Sequence, residues 1–213
     1  MNTALIIFAK APVAGQAKTR LMPALGAEGS ARLAQQLLMH AVQQAAQVPW
    51  AALELCVSPD TSHPAFAQAQ NRAHEKAKDT DSGRLTLSLQ GDGDLGQRMH
   101  RALLRGLSRH AAVLLMGTDA PGLNATVLQE AAQALMTRDA VFVPALDGGY
   151  ALVGLRRPAP ELFEGMVWST PEVMAHTRQR ARQAGLQWAE LPALADIDEP
   201  ADLVHLPSGW VLV

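Results

Sequence analysis

Three cations crowd the exit of the first apolar run of this 213-residue chain. Ala4 to Ala9 are six apolar residues in succession and read as a buried strand. Lys10, Pro12, Gly15, Lys18 and Arg20 follow at once. In an open α/β sheet, ligands gather outside the carboxyl ends of the strands. A cationic loop at that edge suits a polyanion such as a nucleotide diphosphate: arginine grips phosphate bidentately and lysine acts as a point charge. Glycine there lets backbone N–H groups approach phosphate oxygens. The segment is not a Walker A loop, because Ala17 rather than glycine precedes Lys18-Thr19. A solvated basic loop after a core strand is the competing reading.

Asp119 stands where the continuous apolar run Ala112 to Met116 ends, within Gly117-Thr118-Asp119-Ala120-Pro121-Gly122. Aspartate in such a turn serves the turn itself or a ligand. Asp196 and Asp198 flank Ile197, so in an extended segment both carboxylates share one face. Asp198 also has the position of an N-cap for a short last helix with Pro200 in its first turn. As a partner to Asp119 it would complete a Mg²⁺ site, since one or two carboxylates plus phosphate oxygens and water hold that ion.

Two glycine-rich exits add to these. Gly91, Asp94, Gly96 and Arg98 lie between a strand and a helix and lack the GxGxxG arrangement. They predict either a turn capped by Asp94 or a loop that admits a base or ribose to the backbone. Asp147, Gly148, Gly149 and Tyr150 form a tight turn with the chain's single tyrosine. A carboxylate and a phenol there suit a hydroxylated acceptor, with Asp147 as candidate general base. Ser169 and Glu172, with Pro171 between them, predict a capping box, and Trp168 reads as core packing. His40, His100 and His176 share no ligand spacing and read as structural or solvated. No Ser-His-Asp order appears.

The elements that must position these residues alternate in type. Strands are predicted over 3–9, 52–58, 84–90, 112–116, 140–144, 150–155 and 188–191. Helices are predicted over 28–47, 64–78, 95–109, 125–137 and 171–184, with a short helix over 200–206. Residues 78–83 read as a turn or loop. Repeated strand–helix units give a parallel sheet covered on both faces. The short turn at 147–149 implies a hairpin and one antiparallel strand.

Composition bounds the function. Hydrophobic residues make up 48% and charged residues 18%, with net charge −2. That is a globular chain without the broad cationic surface that nucleic acid requires. The single cysteine, Cys56, excludes an intrachain disulfide and a cysteine zinc cluster and reads as a small buried hydrophobe. No apolar run approaches the ~18 residues of a membrane span. The expectation is a cytoplasmic protein with small-molecule partners and an open oligomeric state.

The motifs in this order, with Trp168-Ser169-Thr170 between the tyrosine and Asp196, resemble a bacterial family provisionally assigned as glycosyltransferases. Part of that family is known as a domain of unknown function and part as arsenosugar-biosynthesis-type glycosyltransferases, within the GT-A nucleotide-diphospho-sugar transferase superfamily. The resemblance runs from about residue 4 to 206. It implies one domain over 1–213 with a Rossmann-like three-layer α/β/α fold and a mostly parallel mixed sheet. It also implies transfer of a sugar from a nucleotide-diphospho-sugar to a small hydroxylated acceptor. Lys10, Gly15, Lys18 and Arg20 would hold the phosphates, and Asp119 and Asp198 would hold Mg²⁺ or Mn²⁺. Thr118-Asp119-Ala120 stands where the superfamily has Asp-X-Asp, so one carboxylate is missing. Ala9-Lys10-Ala11 stands where nucleotidyltransferase relatives have a Gly-Gly loop. Nucleotidyl transfer with release of pyrophosphate is the alternative, and a non-catalytic nucleotide-sugar binder is a third reading.

Overall fold

The computed structural model describes residues 2–77 and 84–210. The predicted turn at 78–83 falls outside the described residues. The strands are β1 (Thr3–Lys10), β2 (Ala52–Ser58), β3 (Thr86–Leu89), β4 (Ala112–Met116), β5 (Ala140–Pro144), β6 (Tyr150–Leu155) and β7 (Trp188–Glu190). The helices are α1 (Met22–Ala45), α2 (Pro64–Ala77), α3 (Leu95–Leu107), α4 (Ala125–Ala134) and α5 (Val173–Gln183). Short 3₁₀ turns occupy Thr19–Leu21, Pro160–Leu162 and Pro200–His205.

The strands form one sheet in the order β3-β2-β1-β4-β6-β5-β7. All pairings are parallel except those of β6, which runs antiparallel between β4 and β5. The hairpin predicted at 147–149 therefore exists, and its second strand is wedged into the centre of the sheet. The chain builds outward from β1 to β3, then crosses back to β4 on the other side of β1. The crevice between the carboxyl ends of β1 and β4 is the topological switch point, where such sheets bind ligands.

Alternation along β1 explains the three layers. Leu5, Ile7 and Ala9 face α1, α2 and α4 through residues such as Leu38, Val42, Phe66 and Leu128. Ala4, Ile6 and Phe8 face α3 and α5 through Met99, Leu103, Met174 and Ala181. Both faces of the central strands are thus buried, which is why they read as unbroken apolar runs. Cys56 lies wholly buried in the second of these layers, and burial pushes its thiol pKa up, as expected of an inert hydrophobe.

Some boundaries differ from the sequence reading. The helix expected at 28–47 begins earlier, at Met22, but breaks at Gly26, where φ is 69°. The helix expected from 171 begins at Val173 without a side-chain cap. Ser169 sits at φ 62°, in the left-handed region, so the capping box with Glu172 does not form. The reason lies in packing: Met174 N–H donates to the Gly148 carbonyl, and the Pro171 backbone lies where a Cβ on Gly148 would be. Docking on the β5–β6 turn, not a local cap, sets the start of α5.

Candidate active site

A cavity of about 650 Å³ opens along the carboxyl edge of the sheet at the switch point. Its floor comes from the ends of β1 and β4, and its rim from the loops that leave β1, β2, β3, β4 and β5. Nine of the candidate residues line it: Lys10, Lys18, Arg20, Arg98, Asp119, Asp147, Gly149, Tyr150 and Asp198.

The β1 exit loop is built to present Lys18. Ala11 N–H donates to the Ser58 carbonyl at 2.8 Å, and Ala17 N–H closes a turn on the Val13 carbonyl at 2.9 Å. Gly15 sits in that turn at φ 78°. Ala17 and Leu21 are buried and anchor the segment on either side of Lys18, whose own backbone is left-handed at φ 48° and ψ 47°. No α-helix starts directly after Lys18-Thr19, as a Walker A cradle would require; a 3₁₀ turn stands there.

The Lys18 ammonium donates to Asp119 Oδ1 at 2.6 Å, to Asp198 Oδ1 at 2.7 Å and to the Ile197 carbonyl at 2.6 Å. The lysine side chain is 8% exposed, while those of Asp119 and Asp198 are 47% and 37% exposed toward solvent. Burial opposes the charge on Lys18, but the two carboxylates outweigh it, so its pKa is raised. The two aspartates, far apart in sequence, are brought together by the backbone. Ile197 N–H donates to the Asp119 carbonyl at 2.9 Å, and the Ile197 side chain is fully buried against Leu21, Leu33 and Leu37.

Asp198 is not the cap of the last short helix. Glu199 takes that position, and Asp202 reaches back to accept from the N–H groups of Asp198 and Glu199 at 3.0 and 2.7 Å. The Asp198 carboxylate is thereby left for Lys18. Asp196, on the same side of Ile197, also lines the cavity. Burial, followed by the negative charge of Asp147, pushes its pKa up to about 6.

On the opposite flank, Gln90 organises the cationic wall. It is buried and donates to the carbonyls of Ala9 and Cys56 at 3.1 and 3.2 Å. Its Oε1 accepts from Arg98 Nη1 at 3.1 Å. One amide thus ties the ends of β1 and β2 to the arginine of α3. Lys10 Nζ donates to the Gln16 carbonyl at 3.0 Å, and Arg20 faces Glu199 at 3.8 Å on the exposed rim. Lys10 and Arg98 thus stand by the ends of β1 and β2, whereas Lys18 and Arg20 stand against the acidic segment Asp198-Glu199.

Tyr150 meets Trp168 edge-on, with ring centroids 6.3 Å apart, and burial raises its phenol pKa. Trp168 packs against the core layer, as expected, and also lines the cavity, as does the left-handed Ser169. Asp147 accepts from Gly149 N–H at 2.8 Å and keeps its carboxylate exposed.

The remaining candidates do not line the cavity. Pro12 is buried, and Gly15 serves the turn. Gly91 lies beside Arg101. Asp94 caps α3, accepting from Gln97 N–H at 2.9 Å while Gln97 Oε1 accepts from Asp94 N–H. Gly96 and Gly148 are sites of close approach: a Cβ would run into the Phe163 carbonyl and the Trp168 ring in one case and the Pro171 backbone in the other. They shape the cavity wall from behind. Gln90, Ser58, Thr118 and Ser169 line the cavity but were not among the candidates. The sequence signal for Gln90 was a polar residue closing a strand just before a glycine turn, which the glycines overshadowed.

Among the described residues, no three His, Cys, Asp or Glu side chains cluster to hold a metal ion unaided. No helix among them is long and apolar enough to cross a membrane.

The fold is shared with solved transferases. A provisionally named nucleotide-diphospho-sugar transferase from Desulfovibrio desulfuricans G20 is 30% identical with a TM-score of 0.80, over 95% of this chain and 84% of that one. The 4-diphosphocytidyl-2C-methyl-D-erythritol synthase of Anaerococcus prevotii DSM 20548 is 10% identical with a TM-score of 0.57, over 95% and 93%. Glucosyl-3-phosphoglycerate synthase from Mycobacterium tuberculosis, solved with Mn²⁺, UDP and glucosyl-3-phosphoglycerate, is 10% identical with a TM-score of 0.53, over 95% and 74%. No match is found among curated proteins. Residues 30–170, more than half of the chain, match the bacterial family described as an uncharacterized protein conserved in bacteria (DUF2064), and the chain belongs to that family.

Proposed function

We propose that this chain is a glycosyltransferase that moves a sugar from a nucleotide-diphospho-sugar to a small hydroxylated acceptor, with Mg²⁺ or Mn²⁺ at the diphosphate. The observation that carries the reading is one cavity lined by both the cations Lys10, Arg20 and Arg98 and the carboxylates Asp119, Asp147, Asp196 and Asp198. A polyanionic donor fits the cations and, through a divalent ion, Asp119 and Asp198. A neutral hydroxylated acceptor that must lose a proton fits beside Asp147 and Tyr150.

The donor set accords with a divalent ion. Asp119 Oδ1 and Asp198 Oδ1 both lie within hydrogen-bond distance of one point, the position of the Lys18 ammonium. Two carboxylates completed by phosphate oxygens and water are how hard divalent cations are held at phosphate sites. Bound there, the ion would supply charge neutralisation to the departing diphosphate. The Mn²⁺ and UDP bound by glucosyl-3-phosphoglycerate synthase on the same fold support this reading.

In the proposed reaction the acceptor hydroxyl attacks the anomeric carbon. The bond from that carbon to the diphosphate oxygen breaks, and its electron pair leaves with the nucleoside diphosphate. The hydroxyl proton passes to Asp147, which is exposed on the cavity wall beside Tyr150. Lys10, Arg20 and Arg98 stabilise the charge on the leaving group, a term that is often the largest in such catalysis. Ala9-Lys10-Ala11 stands where nucleotidyltransferase relatives have a Gly-Gly loop, which favours sugar transfer over nucleotidyl transfer.

The test is a panel of nucleotide-diphospho-sugars and nucleoside triphosphates, each with Mg²⁺ or Mn²⁺ and a mixed set of hydroxylated acceptors. Release of a free nucleoside diphosphate from one nucleotide sugar, lost in Asp119→Asn, is expected. Pyrophosphate release from a triphosphate with a phosphorylated acceptor would replace the reading with nucleotidyl transfer. Tight binding of a nucleotide sugar with no product would leave a binder only.

A further inference from the structure

We infer that Lys18 is an exchangeable counter-ion, which holds the position of the divalent metal while the site is empty and moves to the diphosphate when the metal arrives. The inference rests on the metal site of the preceding section. In the present arrangement the Lys18 ammonium donates to Asp198 and the Ile197 carbonyl and lies 2.6 Å from Asp119 Oδ1, and the side chain is almost dry. While it is held there its charge is committed to the two carboxylates rather than to a phosphate. Yet Asp119 and Asp198 stay partly open to the cavity. A divalent ion approaching from there needs the same two carboxylates and meets a positive charge already among them.

The loop favours movement of the side chain rather than of the backbone. Ala17 and Leu21 are buried and anchor it, and Lys18 is held between them in the left-handed region. Such a conformation is retained where the surroundings over-determine it, commonly at ligand sites. Lys10 and Arg20, on either side, already line the cavity, so a released Lys18 ammonium joins a cationic wall. Charge is conserved in the exchange: the metal neutralises the two aspartates, and the lysine neutralises the incoming phosphate. The free protein therefore takes up metal poorly without a nucleotide.

The test is a titration with Mn²⁺ alone, following the free-ion EPR signal, for the natural protein, Lys18→Met and Lys18→Gln. The glutamine variant keeps a hydrogen-bond donor for the aspartates in case the methionine variant collapses the site. A second set adds Asp119→Asn to each. Removing one unit charge beside a divalent ion in a solvated site is worth roughly tenfold or more in affinity. The expected result is therefore at least roughly tenfold tighter Mn²⁺ binding in a folded neutral variant, abolished by Asp119→Asn. Equal Mn²⁺ affinity in the natural protein and both neutral variants, still sensitive to Asp119→Asn, would overturn the exchange while leaving the metal site standing. Absence of Mn²⁺ binding in both neutral variants would overturn the metal site and the exchange with it.

Discussion

Asp196→Asn is expected to stabilise the protein at neutral pH by about 1 kcal/mol. Burial and the neighbouring charge of Asp147 raise the Asp196 pKa from 3.8 to about 6. At about 1.36 kcal/mol per unit, that rise would penalise the ionised form in the folded state by about 3 kcal/mol. Asp196 is only half-buried, and solvent screening reduces the figure to the order of 1 kcal/mol. The direction follows from proton uptake. Between about pH 4 and 6 the folded protein holds a proton on Asp196 that the unfolded chain has lost, so stability attributable to this group falls as pH rises through that window. The assay is urea unfolding of both proteins at pH 4, 5, 6 and 7 in EDTA, comparing midpoints at equal slope. The two curves should coincide near pH 4, separate as pH rises from 4 to 6 and stay apart above it, with the variant more stable. In an Asp147→Asn background the gap should narrow, because part of the raise comes from Asp147. A gap that does not change between pH 4 and 7, or a variant less stable at pH 7, would refute the reasoning.

Two further substitutions probe the scaffold. Gly148→Ala puts a Cβ into the Pro171 backbone at a residue with φ 93°, so left-handed strain of about 1–2 kcal/mol adds to displacement of the start of α5; a lowered denaturation midpoint checks it, and an unchanged midpoint would show that the α5 docking is not rigid. Asp202→Ala removes the acceptor shared by the Asp198 and Glu199 N–H groups and is expected to cost about 1–2 kcal/mol, measured by thermal unfolding. Because the same contact orients Asp198, this variant should also loosen Mn²⁺ binding in the Lys18→Met background.

The fold was legible because its strands are buried on both faces. Ala4 to Ala9, Ala112 to Met116 and Ala140 to Pro144 carry unbroken apolar runs that no surface element would tolerate, and each is a strand. The hairpin at 147–149 was legible from its glycines. What local pattern does not encode is that β6 would insert between β4 and β5, since neighbours in a sheet are chosen by packing of the whole. Caps failed for the same reason. Ser169 and Glu172 satisfy a local rule, yet the contact of Pro171 with Gly148 overrides it and turns Ser169 left-handed.

The site divides along a similar line. Residues at strand exits lie in the cavity because the topology puts every parallel strand's carboxyl end at one edge: Lys10 at the end of β1, Asp119 after β4 and Asp147 after β5. Glycines were over-read, since Gly96 and Gly148 are needed where helix, tryptophan and turn press together behind the wall. The most consequential relation was not readable at all. Sequence gave Lys18 to the phosphates and Asp119 and Asp198 to a metal, as separate tasks. In the folded chain the ammonium lies between the two carboxylates, pinned by the Ile197 carbonyl. A residue type and its position can announce a charge, but only the fold says which opposite charge it will meet first. Here that encounter sets one ammonium between two carboxylates, so under the proposed reading a divalent ion would have to displace Lys18 rather than fill a gap.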